Sequence, residues 1–127
     1  MGIIWFDGQP KEIVVTINEL NLTINKSGVQ FLKNANQVML GFDEENAKVF
    51  IKPLSKDEVL RGDIANHMRY NISVTQSYGR VANKAYVTKL DKTFSLGLDE
   101  RGLKFKARWL KNQGMIEVDL KEVLSHD

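Results

Sequence analysis

The sequence predicts an α+β protein, mostly antiparallel sheet with few short helices, built from two related β-rich halves that each run strand, short helix, β-hairpin. Three observations lead there. Apolar and polar residues alternate over short stretches bounded by turn residues, which is the period of half-buried strands. Helix signals are short, and two of them open with S-x-x-Q and S-x-x-E boxes. The stretch LGFDEENAKVFI at 40–51 returns as LGLDERGLKFKA at 96–107, keeping Leu, Gly, Asp, Glu and Lys.

Ile13, Val15 and Ile17 alternate, then Leu20, Leu22 and Ile24, with Asn18 and Glu19 as the turn between two strands. Ser27 to Gln30 has the form of a capping box. Val29, Leu32 and Ala35 or Asn36 follow at helical spacing, predicting a helix of two to three turns. Val38, Leu40 and Phe42 lead to a turn at 43–46 and a return strand from Lys48 to Ile51. Asp43 suits the start of that turn, and Asn46 is expected to take the positive φ of a bulged type I turn. In the second stretch Gly102 holds the equivalent position, so a second hairpin is expected with Phe94, Leu96 and Leu98 on one arm and Phe105, Ala107 and Trp109 on the other.

Lys52 and Pro53 close the first hairpin, because proline has no N–H to give a sheet interior. Ser55 to Glu58 forms a second capping box for a short helix that Gly62 stops. The polar run 63–68 reads as a linker joining pseudo-repeats at about 11–62 and 69–121 within one domain spanning 1–127. Tyr70, Ile72 and Val74 predict a strand, Ser77 to Arg80 a turn, and Val81 to Leu90 a helix. With Lys111 to Gly114 as a four-residue loop, a last strand from Met115 to Leu120 pairs back. Leu110 then faces Met115, Trp109 faces Ile116, Ala107 faces Val118 and Phe105 faces Leu120, while Arg108 opposes Glu117 and Lys106 opposes Asp119.

Composition bounds the function. The chain has 127 residues with 43% apolar content, the profile of a globular protein, and lacks cysteine, which excludes disulfides and thiolate chemistry. The opening MGIIWFDG has no basic region and too short an apolar run for a signal peptide or a membrane span, so a cytoplasmic location away from membranes is expected. Charge is uneven: residues 1–66 carry 7 basic and 9 acidic groups, residues 67–127 carry 11 and 7, and the window 80–111 carries 9 and 3. Such a window attracts phosphate or an acidic partner, or serves as a solvated face. No nucleotide-binding, metalloprotease or hydrolase motif is present. His67 stands four residues after Asp63 without a third ligand, and His126 is next to last, so no metal, no cofactor and no enzymatic activity are expected.

Two stretches resemble the swapped-hairpin domain of AbrB-type bacterial regulators and MazE-type antitoxins. Leu22-Thr-Ile24, then Leu32, then Val38-Met-Leu40-Gly-Phe42-Asp43 follows that family's spacing, and Gly79-Arg80-Val81, Leu90 and Leu96-Gly-Leu98-Asp99 follow it again. Two copies in one chain look like the MraZ arrangement. The resemblance covers about half of the chain. It implies interleaved hairpins and duplex DNA as ligand, with Arg80, Lys84 and Lys89 as first phosphate contacts.

The leading expectation is therefore a small non-enzymatic bacterial module that binds duplex DNA through its basic second half. Arg80, Lys84, Lys89, Lys104, Lys106 and Arg108 are its candidate contacts. The alternative is a protein-interaction or assembly module, a homodimer included, that uses Ile3, Ile4, Trp5 and Phe6, four consecutive large apolar residues that need a cover.

Overall fold

The computed structural model describes residues 2–6 and 12–125; His126 lies outside them. The described residues are mostly antiparallel β with three short helices, arranged as one nine-stranded, nearly closed, barrel-like sheet. It does not show two repeated halves. In chain order the elements are β1 (Ile13–Ile17), β2 (Asn21–Ile24), α1 (Lys26–Val29), β3 (Gln37–Asp43), β4 (Lys48–Leu54), α2 (Lys56–Leu60), β5 (Tyr70–Asn71), β6 (Ser73–Val74), β7 (Gly79–Ala82), α3 (Lys84–Phe94), β8 (Leu103–Leu110) and β9 (Met115–Ser125). Around the sheet the order is β5-β3-β4-β9-β8-β1-β2-β7-β6, antiparallel throughout.

The expected single strand at 70–74 is split by this closure. Tyr70 and Asn71 pair with β3, Ser73 and Val74 pair with β7, and Ile72 alone separates them. One extended segment thus forms both edges of the sheet. Tyr70, Ile72 and Val74 all lean on the core, so the alternation that predicts the strand persists through the break.

Inside, every strand contributes its alternate residues. Val15, Ile17, Leu22, Ile24, Val38, Val49, Ile51, Val81, Phe105, Ile116 and Val118 are buried, and Leu32, Val87 and Leu90 pack against them from outside the strands. Two glycines let side chains lie on bare backbone. A Cβ at Gly28 would fall 2.3 Å from Ile24 Cγ2, and one at Gly79 would fall 2.6 Å from Leu32 Cδ1.

Several local expectations hold. The β1–β2 hairpin pairs Val15 with Ile24 and Ile17 with Leu22. Ser55 caps α2 through a reciprocal box, its Oγ accepting from the Glu58 N–H while Glu58 accepts from the Ser55 N–H. Those bonds hold the Glu58 carboxyl below its ordinary pKa. The β8–β9 register matches from Leu110–Met115 through Ala107–Val118.

Others are corrected. The Ser27 box does not form: Asn25 stands at the helix start, Gln30 Nε2 donates to the Ser27 carbonyl, and the Ser27 hydroxyl is buried without a partner. Asn25 instead binds β1, accepting from the Val14 N–H and donating to the Glu12 carbonyl, both at 3.0 Å. The expected helix is therefore one α-turn followed by tighter turns that reach Leu32. Positive φ falls on Ala47 (54°), not Asn46, because the β3–β4 loop has four residues and its last one takes the left-handed position, as Gly114 does in the β8–β9 loop. Val81 belongs to β7; α3 starts later, where the Asn83 side chain accepts from the Tyr86 N–H.

The second hairpin is absent. Phe94 ends α3, and Leu96 to Gly102 form a connection instead of a strand. The Asp91 carboxylate accepts from the N–H groups of Gly97 (2.8 Å) and Leu98 (3.4 Å), tying this stretch to the helix end. The turn chemistry nevertheless repeats: Asp43 accepts from the Asn46 N–H and Asp99 from the Gly102 N–H. The Asp99 turn docks on the β1–β2 turn, where the Glu19 N–H donates to the Asp99 carbonyl. Finally, β9 bulges beyond Val118, so Phe105 faces Val123 in place of Leu120, and Lys106 does not oppose Asp119.

Gly102 and Gly114 both have positive φ, yet only Gly102 is also hemmed in. A Cβ there would lie 2.5 Å from the Ile17 carbonyl oxygen, whereas none lies within 4 Å at Gly114. Gly114→Ala is expected to cost about 1–2 kcal/mol from backbone conformation alone. Gly102→Ala should cost clearly more, as read from urea midpoints; equal losses would contradict the packing of the Asp99 turn on β1. Phe105→Ala should cost about 3–5 kcal/mol, against about 0.5 or less for the outward Thr16→Ala in the same assay.

Candidate nucleic-acid interface

Antiparallel register turns the outward residues of separate strands into rows. Lys104 on β8 faces Thr16 on β1, Thr16 faces Thr23 on β2, Thr23 faces Arg80 on β7, and Arg80 faces Ser73 on β6. The row crosses five strands and contains two cations, three hydroxyls and no carboxylate. Lys104, Arg80 and Ser73 are exposed, and the threonines are half-buried between them. At about 4.8 Å per strand, Lys104 and Arg80 stand roughly 14 Å apart along the sheet.

Arg80 is held in place from both sides. Its guanidinium lies 4.7 Å from the Tyr78 ring centre, and its Nε donates to Thr23 Oγ1 at 3.5 Å. Tyr78 in turn sits in a turn where Thr75 Oγ1 accepts from the N–H groups of Ser77 and Tyr78. The cation keeps its charge and loses rotamer freedom, which favours a fixed contact.

The other expected contacts divide. Lys84 opens α3 four residues beyond Arg80 and is exposed; Lys89 is exposed one turn further along the helix. Neither forms an ion pair among the described residues, and Lys104 and Arg80 form none either. Lys106 and Arg108 share the outward face of β8 with Lys104 but are partly spent. Lys106 pairs with Glu12 at 3.3 Å, and Arg108 Nε donates to Glu117 Oε1 at 3.0 Å. Glu117 and Asp119 also hold Lys48, at 3.5 and 3.2 Å. Lys48, Lys106, Arg108, Glu117, Asp119 and Glu122 line a cleft of about 280 Å³. The cleft balances its own charges, so it offers an anion little net field.

The threonine and serine members of the row escape sequence reasoning. Their outward placement is visible in the alternation of β1 and β2, but the row exists only through the pairing of β2 with β7 and β1 with β8, far apart in sequence. Among the described residues no group of three or more His, Asp or Glu is placed to hold a metal ion. His67 is exposed in a short 3-10 turn at Asn66–Met68. Tyr86 is half-buried, desolvation pushes its phenol pKa well up, and its hydroxyl donates to the Gly41 carbonyl at 2.6 Å. No helix among the described residues is long and apolar enough to cross a membrane. Ile3, Ile4, Trp5 and Phe6 are 75–97% exposed. No family model, curated protein or solved structure matches this chain.

Several carboxylates here are tied to N–H groups or cations. The Gly102 and Arg101 N–H groups hold the Asp99 carboxyl below its ordinary value of 3.8, and Asn46 does the same for Asp43. For Asp119 burial acts upward, but the Lys121 N–H and the Lys48 ammonium outweigh it and the pKa falls. Groups with a lowered folded pKa add stability above the unfolded value and lose it as pH drops through the folded one. Thermal stability is therefore expected to fall as pH is taken below about 4. In Asp99→Asn, measured by the same melts at pH 7 and pH 3, the fall should be smaller. An identical fall in the variant would contradict this assignment.

Proposed function

We propose that this protein is a small non-enzymatic module that holds nucleic acid, duplex DNA first, through phosphate contacts on the outer face of β8, β1, β2 and β7. The observation that carries the reading is the acid-free row Lys104–Thr16–Thr23–Arg80–Ser73, with the exposed Lys84 and Lys89 following Arg80 in the chain on α3. Hydroxyls between cations are the donors that phosphate oxygens take. The face is a sheet exterior presenting short polar side chains, so it suits backbone contact over base reading.

The AbrB-like reading belongs to the same proposal, as a duplicated strand–helix unit serving a regulator. Asn25 and Asn83 support it. Each stands immediately after a strand, at the start of a helix, and those two strands, β2 and β7, pair with one another.

Binding of labelled random duplex DNA, followed by anisotropy between roughly 50 and 200 mM salt, tests the reading in the range where phosphate-driven affinity collapses. Arg80→Glu with Lys104→Glu should weaken binding at least tenfold at the lower salt. It should also flatten the slope of log K against log salt by about 0.9 per lost contact. Arg108→Ala should change little, since Glu117 already neutralises Arg108. Unchanged binding by the double variant would discard the face.

A second reading, an assembly module, is favoured by one specific observation. The side chains of Ile3 to Phe6 stand in solvent with exposures of 75, 97, 81 and 93%. A run of this kind marks a contact surface.

A further inference from the structure

A glycine inside a regular strand weakens it, and where no bulge or left-handed backbone calls for one, it marks a place where something else comes close. Gly41 is such a residue. It sits mid-strand in β3, in unbroken register opposite Phe50, and its φ is not positive. A Cβ there would meet nothing within 4 Å, so neither the fold nor the Phe50 ring fills the space above it. That space is the floor of an open groove of about 260 Å³ on the outside of the sheet, lined by Met39, Gly41, Phe50, Lys52 and Met115. Register joins its walls: Met39 faces Lys52, Gly41 faces Phe50, and β9 brings Met115 alongside β4.

Two thioethers, a phenyl ring and an ammonium around a bare floor are the surroundings an aromatic side chain prefers. Sulfur packs against ring edges, and a cation sits over an indole face better than over any other ring. Lys52 makes no ion pair within 4 Å among the described residues, and its charge acts on the Glu58 carboxylate only from further off. The same chain carries an uncovered aromatic in its first residues, Trp5, 81% exposed between Ile4 and Phe6.

We infer that the groove over Gly41 receives Trp5 from the arm of a second copy of this chain, and that reciprocal exchange of arms builds a two-fold dimer. The inference rests on the assembly reading above and names its surface. Reciprocity follows from symmetry: each copy offers one arm and one groove, and a two-fold axis fills both. Trp5 and Phe6 would each cover about 150–250 Å². With Ile3 and Ile4, two arms approach the ~1,000 Å² floor of a specific interface. The groove lies on β3, β4 and β9, so the basic row on β8, β1, β2 and β7 stays open in the dimer.

Light scattering after size exclusion, with sedimentation equilibrium for the dissociation constant, tests this on the full chain. Wild type should be a dimer. Trp5→Ala should weaken it about 30-fold or more, as loss of a central anchor does. Gly41→Leu, which fills the groove from below, should do the same while its melting temperature equals or exceeds that of wild type. A wild-type chain monomeric at every concentration would overturn both the groove and the assembly reading. A dimer that survives Gly41→Leu but is lost when residues 2–6 are deleted would overturn the groove and leave the assembly reading standing. A dimer that survives Trp5→Ala would overturn the role of the arm's indole.

Discussion

Closure of the sheet at Ile72 is the constraint on which the other features depend. A sheet of this length with an apolar inner face must either expose two edges or meet itself. Here five residues, Tyr70 to Val74, hydrogen-bond to β3 with one end and to β7 with the other. Once the edges meet, the inward residues of all strands face one another across a single interior, and the ends of that interior need plugs. Leu32 fills one approach, lying on the bare backbone of Gly79, and α3 supplies Val87 and Leu90. Tyr86 then ties the same helix to β3 through the Gly41 carbonyl, so the plug is bonded to the wall it closes.

This explains which parts of the structure are legible in the sequence. Features fixed by neighbours within about ten residues are readable. The β1–β2 hairpin, the Ser55–Glu58 box and the β8–β9 register from Leu110 to Ala107 depend only on alternation and turn chemistry, and they appear where the sequence puts them. Features set by closure are not. The apolar pattern at 70–74 looks like one strand because it is one extended segment; only the curvature of the sheet divides it between two partners. The stretch at 96–102 shares Leu, Gly, Asp and Glu with 40–46, and its Asp99 turn forms. Its would-be strand is tied to Asp91 near the end of α3 instead of pairing. The two stretches therefore share an Asp-anchored turn without sharing a hairpin.

The candidate site divides the same way. Alternation places Lys104, Lys106 and Arg108 on one face, and that placement holds. Which of them remains available is decided by partners elsewhere in the chain: Glu12, just before β1, takes Lys106, and the β9 bulge shifts Asp119 away from Lys106 toward Lys48. The count of 9 basic and 3 acidic residues in the window 80–111 describes composition, not field. The acids that neutralise that window, Glu12 and Glu117, lie outside it in sequence.

Subtracting the paired cations from the six candidate contacts leaves a smaller and more coherent set. Arg80, Lys84 and Lys89 come from β7 and α3, Lys104 comes from β8, and the two groups are separated in the sheet by β1 and β2. Those two intervening strands present Thr16 and Thr23 outward at the register position that links the groups. A carboxylate at either position would have cancelled the row, and a large apolar residue would have dried it. A hydroxyl does neither, since it can donate to an anion and carries no charge of its own. Because β1 and β2 lie in the acid-rich first half, the basic second half becomes one surface only through strands that contribute no charge to it.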